Sequence, residues 1–425
     1  MKQPVLGLIC LLLSLPALSQ APVPPDSLRL TLPQAEAMFR QYNLSMLATR
    51  LGIDEYRAYE VQARLFVNPT IYIEQMPYNP QSGEFMPIGQ NNSEQVVQVQ
   101  QLLLLAGKRN KQMALAVTNT KIATDRYEDL LRTLTYQLRS AFYSLYYQQQ
   151  TLTMYRQEIG TLSQTVTMYQ QQYDKGNVPL KDLARLKAYL FNLSNEQQQH
   201  LVQIADDQAT LSVLLSQGNN QPLRPVVPEI QTQADPAQLS LDSLLATAER
   251  NRPDLRGYQD QFTAERQNLA LQKALAVPDL MLQGTYDRNA GYIPNYFGVG
   301  VGMTLPVFNR NQGNILAARV RIQSSQQFAS AYRIQVAGEL QRALTKARQA
   351  DQLYRSFDRR FNSDFSKLID GVTLNYRKQN IDVVEFLDFF DSYKTSQLQF
   401  IQLQNDRMQR LEELRLSVGT DPFSN

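Results

Sequence analysis

Two carboxylates set three residues apart, Glu385 and Asp388, close the segment YRKQNIDVVEFLD (Tyr376 to Asp388) and are the side chains best placed to act through charge. Residues three apart share one face of a helix. The pair therefore has two readings. It can present a small acidic patch that selects cations, or Asp382 can cap a helix with Glu385 in the reciprocal position of a capping box and Asp388 a solvated neighbour. Nothing else in the chain resembles a reaction centre. The single histidine, His200, sits near Gln197 and Asp207. A zinc site takes three or four ligands, so His200 reads as a structural seam residue. The one cysteine, Cys10, lies in the apolar N-terminal stretch, which leaves the rest of the chain without thiolate or disulfide chemistry. There is no Gly-rich phosphate loop and no nucleophile–base arrangement. An enzyme, a cofactor and a metal site are not expected. A net charge of +3 without a basic cluster gives no reason to expect a nucleic-acid partner.

The segment before the carboxylates has an echo. YDKGNVPLKDL (Tyr173 to Leu183) carries Tyr173, Lys175 and Asn177, which recur 203 positions later as Tyr376, Lys378 and Asn380. Other stretches repeat as well. Leu30 to Leu47 aligns with Leu239 to Arg256 at an offset of 209, and Pro69 falls on Pro278. Gln101 to Lys111 then aligns with Thr304 to Asn314 at 203. The chain thus reads as two copies of one plan: helix, strand pair, very long helix, turn, helix. The first copy spans 20–217, with strands near 70–75 and 95–103 and a helical hairpin over 107–217 tipped near 174–180. A Pro-rich linker covers 218–238 and is expected to be irregular. The second copy spans 239–425, with strands near 280–286 and 296–305 and a hairpin over 313–418 tipped near 377–382. Single first helices are expected over about 32–66 and 241–276. Residues 1–19 read as a signal peptide, with Lys2, an apolar run from Val5 to Leu15, and Ala17-Leu18-Ser19 before cleavage.

Past residue 20 no apolar run approaches the length of a membrane-spanning helix. The strand pairs offer another route. Phe297, Val299, Val301 and Met303 alternate with Gly298, Gly300, Gly302 and Thr304, and Val97 and Val99 alternate with Gln98 and Gln100. Apolar on one face and small or polar on the other is the pattern of a membrane barrel wall; a soluble hairpin packed on a helix would show it too. The loops joining the strands are read as Met76 to Asn92 and Asp287 to Asn295. Four strands cannot close a barrel, because the smallest have about eight, so several chains would have to share one; three would supply twelve strands. In the long helix Leu131, Leu138, Leu145, Leu152, Ile159, Val166 and Tyr173 recur every seven residues, and Leu134, Ala141, Tyr155, Leu162 and Tyr169 occupy the intermediate positions, with Gln148 the one polar break. Sustained sevens indicate a left-handed coiled coil. In the second copy Leu340, Leu344, Ala347, Tyr354, Phe361, Phe365, Leu368 and Val372 keep the spacing, interrupted by Asp351 and Asp358.

With the start LTLPQA (Leu30 to Ala35), the Pro-ended first helices, QLLLLAGKR, LPVFNRNQG and the two turns in this order, the chain resembles the TolC-like outer-membrane efflux proteins over essentially its whole length after the signal. The resemblance implies a mainly α protein with a small β part. It also implies a homotrimer in which a twelve-stranded barrel lies in the outer-membrane lipid of a Gram-negative bacterium and continues as a periplasmic α-helical barrel. The function implied is a passive efflux duct, with an inner-membrane pump of the resistance-nodulation-division type and a periplasmic adaptor as partners. The family's acids at the periplasmic mouth map onto Glu385 and Asp388. A first-turn aspartate maps onto Asp182, whose basic latch partner is replaced here by Ile381. Gly176, Asn177, Val178, Gln379, Asn380 and Ile381 occupy the tips where an adaptor would dock. LFVNPTIYIEQMPYNP and QLLLLAGKRNK are closest to the cobalt–zinc–cadmium or copper branch, which implies heavy-metal cargo; drug efflux or type I secretion are the alternatives within the architecture. A periplasmic coiled-coil scaffold is the alternative outside it.

Overall fold

The computed structural model describes residues 27–423 apart from 89–92, 219–220, 229–233, 290, 292, 358–367, 370 and 379. The expected signal segment, Phe361, Phe365, Asp358 and Gln379 lie outside the described residues. In chain order come β1 (Leu28–Thr31), α1 (Leu32–Tyr42), α2 (Leu44–Arg64), β2 (Thr70–Gln75), β3 (Tyr78–Asn79), β4 (Glu84–Phe85) and β5 (Gln95–Leu103). The hairpin of α3 (Lys108–Asp174) and α4 (Leu180–Leu214) follows, then β6 (Leu223–Val226), α5 (Leu241–Asn251), α6 (Pro253–Leu275), β7 (Leu280–Asn289) and β8 (Pro294–Met303). The chain ends in α7 (Gln312–Ser356), a helical stretch α8 (371–377) and α9 (Val383–Val418). The fold is mostly helical with a small sheet part. At 67 residues α3 is about 100 Å long, and among the described residues no helix is long and apolar enough to cross a membrane.

The seven-residue seam is buried where the helices pair. Leu138, Leu145 and Leu162 are fully buried, and Ala141, Leu152 and Tyr155 nearly so. The polar break Gln148 meets His200, whose Nδ1 lies 2.8 Å from its Oε1. Burial lowers the imidazole pKa, and the ring lies against Tyr155. Asp351, which interrupts the second seam, is 3% exposed and takes Arg407 at 2.7 Å and Arg355 at 2.6 Å. An interior carboxylate is tolerable only when so paired.

Three sequence expectations need correction. The single helices over 32–66 and 241–276 are each broken in two. At Asn43 the side chain accepts from Met46 N (2.9 Å) and donates to Leu214 O (2.9 Å), which satisfies a buried amide at the cost of helical continuity. At Arg252 the backbone is extended because Pro253 follows. The linker over 218–238 is not irregular throughout. Its β6 pairs in parallel with β1, Leu28 opposite Leu223 to Thr31 opposite Val226, and buries Leu30 and Leu223; a 3-10 turn occupies Pro236–Gln238. The joining loops are also partly ordered. β7 and β8 stay paired as far as Asn289 opposite Pro294, and Met76 to Asn92 contains the β3–β4 pair.

The four long strands form one antiparallel sheet in the order β2-β5-β7-β8. Ile73, Val97, Tyr286 and Phe297 stand in register across it, as do Ile71, Val99, Gly284 and Val299. One core cluster gathers Phe39, Leu138, Phe142, Leu145, Leu211 and Leu411 near the β1–β6 pair. A second joins α5 to α7 and α9 through Leu244, Ala248, Leu340, Leu344 and Leu414. A third fills the hairpin ends.

Candidate functional site

Both hairpin tips are closed by the same backbone device. At the first, Gly176 N–H donates to Tyr173 O (2.8 Å) and Asn177 N–H to Gln172 O (2.9 Å), while Asn177 Nδ2 donates to Gln172 Oε1 (2.8 Å). Gly176 takes φ +76°, the left-handed conformation that ends helices and that glycine adopts without steric penalty. At the second, Asn380 N–H donates to Asn375 O (2.9 Å) and its Nδ2 to Asn375 Oδ1 (3.3 Å). The six-residue reach back to a carbonyl satisfies an acceptor that a helix end otherwise leaves open. Gly176, Asn177 and Asn380 are exposed, and Val178 is half-buried.

Chemistry differs between the tips. Exposed Lys175, Lys181, Arg185 and Lys187 surround the first, with Asp182 half-buried in the first turn of α4, where the helix dipole favours an anion. The second carries Asp382, Glu385, Asp388 and Asp391. Asp382 is the cap: its Oδ1 accepts from Val384 N (2.8 Å) and Glu385 N (2.9 Å). The reciprocal half of a capping box is not formed, and the exposed Glu385 carboxylate makes no hydrogen bond among the described residues. Capping therefore falls to Asp382, and Glu385 and Asp388 project on one face of the first turns of α9. Ile381 is half-buried against the tip core, so its place is taken up by packing.

Under the tips lies an aromatic stack that the sequence did not announce. Tyr376 is fully buried between Tyr169 (centroids 4.8 Å apart) and Phe386 (4.3 Å), with both pairs at 7° between planes. Burial raises both phenol pKa values, and Asp182 adds to the rise at each. Two turns further up α9, Lys394 is 8% exposed and donates to both Glu196 oxygens of α4 (3.1 and 3.3 Å) while pairing with Asp391 (3.1 Å). Tyr155 of α3 donates to Glu196 (3.1 Å) and Tyr189 of α4 to Asp391 (2.8 Å). Burial opposes ionisation of Asp391, but the hydrogen bonds from Tyr189 and Lys394 outweigh it and hold the carboxyl below its usual range. This network ties α9 to the other hairpin. Its only sequence signal was a lysine on an apolar face.

The sheet at the other end of the molecule is the second candidate surface. On one face Ile71, Ile73, Phe297, Val299 and Val301 are between 64% and 97% exposed. On the opposite face Gln100 donates to Gln98 (2.8 Å) and Gln283 to Thr285 (3.2 Å), beside Gly298, Gly300 and Gly302. Neither β2 nor β8 has a second partner among the described strands. No group of three or more potential metal ligands occurs among the described residues.

No protein-family model matches the chain, and no curated protein matches it in sequence. Solved structures do. The Campylobacter jejuni CmeC outer membrane channel superposes with a TM-score of 0.77 at 12% identity, covering 92% of this chain and 86% of that one. CusC, a protein whose crystal structures describe transmembrane channel formation, gives 0.73 at 15% identity over 92% of both chains. The open state of the Neisseria gonorrhoeae MtrE outer membrane channel gives 0.71 at 15% identity, covering 92% of this chain and 89% of that one. At these identities the likeness establishes a fold, that of TolC-like outer-membrane channels.

Proposed function

We propose that this chain is the outer-membrane duct of a tripartite efflux system, acting as a homotrimer without catalysis of its own. The observation that carries the reading is the sheet. It has two open edges, an exposed apolar face, and an opposite face of glutamine, threonine and glycine. Open edges and bare backbone groups are not tolerated in lipid, where a sheet must close on itself. Four strands are too few for the smallest membrane barrel of about eight; three copies supply twelve. The apolar face then meets outer-membrane lipid, the polar face lines water, and the long helices continue the duct through the periplasm. A periplasmic scaffold would leave Val299, 97% exposed, in water.

On this reading the hairpin tips form the inner mouth. Glu385 and Asp388 from three copies make two acidic rings that favour cations, with Asp182 near them on the first hairpin. Gly176, Asn177, Val178, Asn380 and Ile381, with Gln379, offer the docking surface for a periplasmic adaptor and a resistance-nodulation-division pump. The cargo we propose is heavy-metal cations, from the resemblance of LFVNPTIYIEQMPYNP and QLLLLAGKRNK to that branch; drug efflux is the other outcome of the test. Two measurements decide. The purified protein should be a heat-modifiable oligomer that conducts ions in planar bilayers, and recovery as a soluble, non-conducting protein would refute the channel. A deletion strain should become sensitive to zinc, cobalt, cadmium or copper; sensitivity to antibiotics alone would refute the metal assignment.

A further inference from the structure

The two ends of the sheet carry opposite charge. At the end remote from the helices, residues 74–95 and 287–294 contain Glu74, Glu84, Glu94 and Asp287 against Arg288 alone. At the helical end, within eight residues of a strand terminus, stand Arg64, Lys108, Arg109, Lys111, Lys273 and Arg310 against Asp279 alone, with Glu60 one turn before Arg64. Glu60 pairs with Arg64 at 3.7 Å and Asp279 with the buried Lys108 at 2.6 Å. That leaves Arg109, Lys111, Lys273 and Arg310 with no carboxylate at ion-pair distance among the described residues.

The same end bears two apolar knuckles. Leu65, Phe66 and Val67 lead into β2 at 55%, 76% and 41% exposure, and Leu305, Val307 and Phe308 leave β8 at 71%, 58% and 92%. The guanidinium of Arg109 lies 3.9 Å over the Phe66 ring, so cation and aromatic face are presented together. Water is a poor solvent for such knuckles, and uncompensated cations exclude hydrocarbon. A layer with phosphate at one depth and acyl chain at the next suits both. The dimensions agree. Ten-residue strands β7 and β8 extend about 33 Å, and once tilted they match an apolar band about 25 Å tall.

We propose that the helical end of the sheet is a phospholipid collar. Phe66, Leu305 and Phe308 enter the boundary between acyl chains and headgroups, and Arg109, Lys111, Lys273 and Arg310 hold the phosphates of anionic phospholipid in the periplasm-facing leaflet. The inference rests on the barrel reading above, and its test separates the two.

The full-length protein is purified in mixed micelles of phosphatidylglycerol and phosphatidylethanolamine, and lipid retained per assembly is counted by native mass spectrometry. Wild type should retain phosphatidylglycerol preferentially, and K273Q/R310Q, which alters only exposed side chains, should cut that preference roughly 25-fold, at about fivefold per cation. R109Q/K111Q should do the same, and raised salt should weaken retention. Equal retention of the two lipids by wild type, or an unchanged preference in both double variants, overturns the collar. Carbonate extraction of membranes is run in parallel. A protein that stays in the membrane but shows no lipid preference refutes the collar alone, and a protein that is extracted refutes the barrel and the collar together.

Discussion

Replacing Asp254 with asparagine should loosen the junction where four helices meet. Asp254 opens α6 with a side chain only 7% exposed. It accepts from Arg252 Nη2 (2.6 Å), Arg132 Nη2 (2.9 Å) and the Tyr332 hydroxyl (2.7 Å). Arg252 also reaches Ser417 O (3.0 Å) and Glu339 (3.3 Å), so α3, α6, α7 and α9 converge on this carboxylate. Breaking a buried ion pair by removing one partner costs about 3–5 kcal/mol. Here the orphaned cations keep something: Arg132 retains Asp129 (2.6 Å) and Leu416 O (2.6 Å), and Arg252 retains Glu339 and Ser417 O. The lower end, about 3 kcal/mol, is the expected loss for Asp254→Asn at neutral pH.

The pH dependence has a definite sign. Burial pushes the Asp254 carboxyl up, but Arg252, Arg132 and Tyr332 outweigh it and hold the pKa below the ordinary value of 3.8. A depressed folded-state pKa stabilises fully above the unfolded value and is lost as pH falls through the folded one. Urea titrations followed by far-UV circular dichroism, wild type against variant, should show the gap at about pH 7.5 and its narrowing below about pH 4. A loss under about 1 kcal/mol at neutral pH, or a gap that does not narrow in acid, would refute the reasoning.

Asp125, in the α3–α6 seam, should behave oppositely. Burial raises its carboxyl to about 6 despite Arg256 at 3.2 Å, and its Oδ2 is buried without a hydrogen bond. The stabilisation belongs to the protonated form and is lost as pH rises through about 6, so Asp125→Asn should stabilise by about 2 kcal/mol at neutral pH and by nothing near pH 4 in the same titrations. Asp382→Ala removes the cap on α9 and should cost about 1 kcal/mol locally, read as faster amide hydrogen exchange at Val384 and Glu385; unchanged exchange there would contradict the cap. Glu385→Gln with Asp388→Asn should raise anion permeability in bilayers and weaken block by multivalent cations, and unchanged selectivity would remove both from the gate. Val299→Lys, at the middle of β8 on the apolar face, should cost about 2–4 kcal/mol per copy in lipid and deplete the protein from the membrane fraction; normal membrane yield would count against a lipid-facing Val299.

Much of this molecule is written locally. A long coiled helix buries what recurs every seven residues, so Leu138, Leu145 and Leu162 could be read in order along the chain. A strand exposes alternate residues to different surroundings, so Val299 and Gly300 declare two faces. Gly176 and Pro179 announce a turn through their own backbone restrictions. What the chain alone did not reveal depends on partners far away in sequence. The bend at Asn43 is fixed by Leu214 O, 171 residues on. β1 finds β6 across almost two hundred residues, which turns an apparent linker into sheet. Tyr376 becomes buried only because Tyr169 and Phe386 close on it, and Lys394 acquires meaning only from Glu196. Local periodicity fixes which face of an element seeks burial or lipid, because that preference is a property of the side chains themselves. Which polar group answers which is decided by distances that exist only once the hairpins lie side by side.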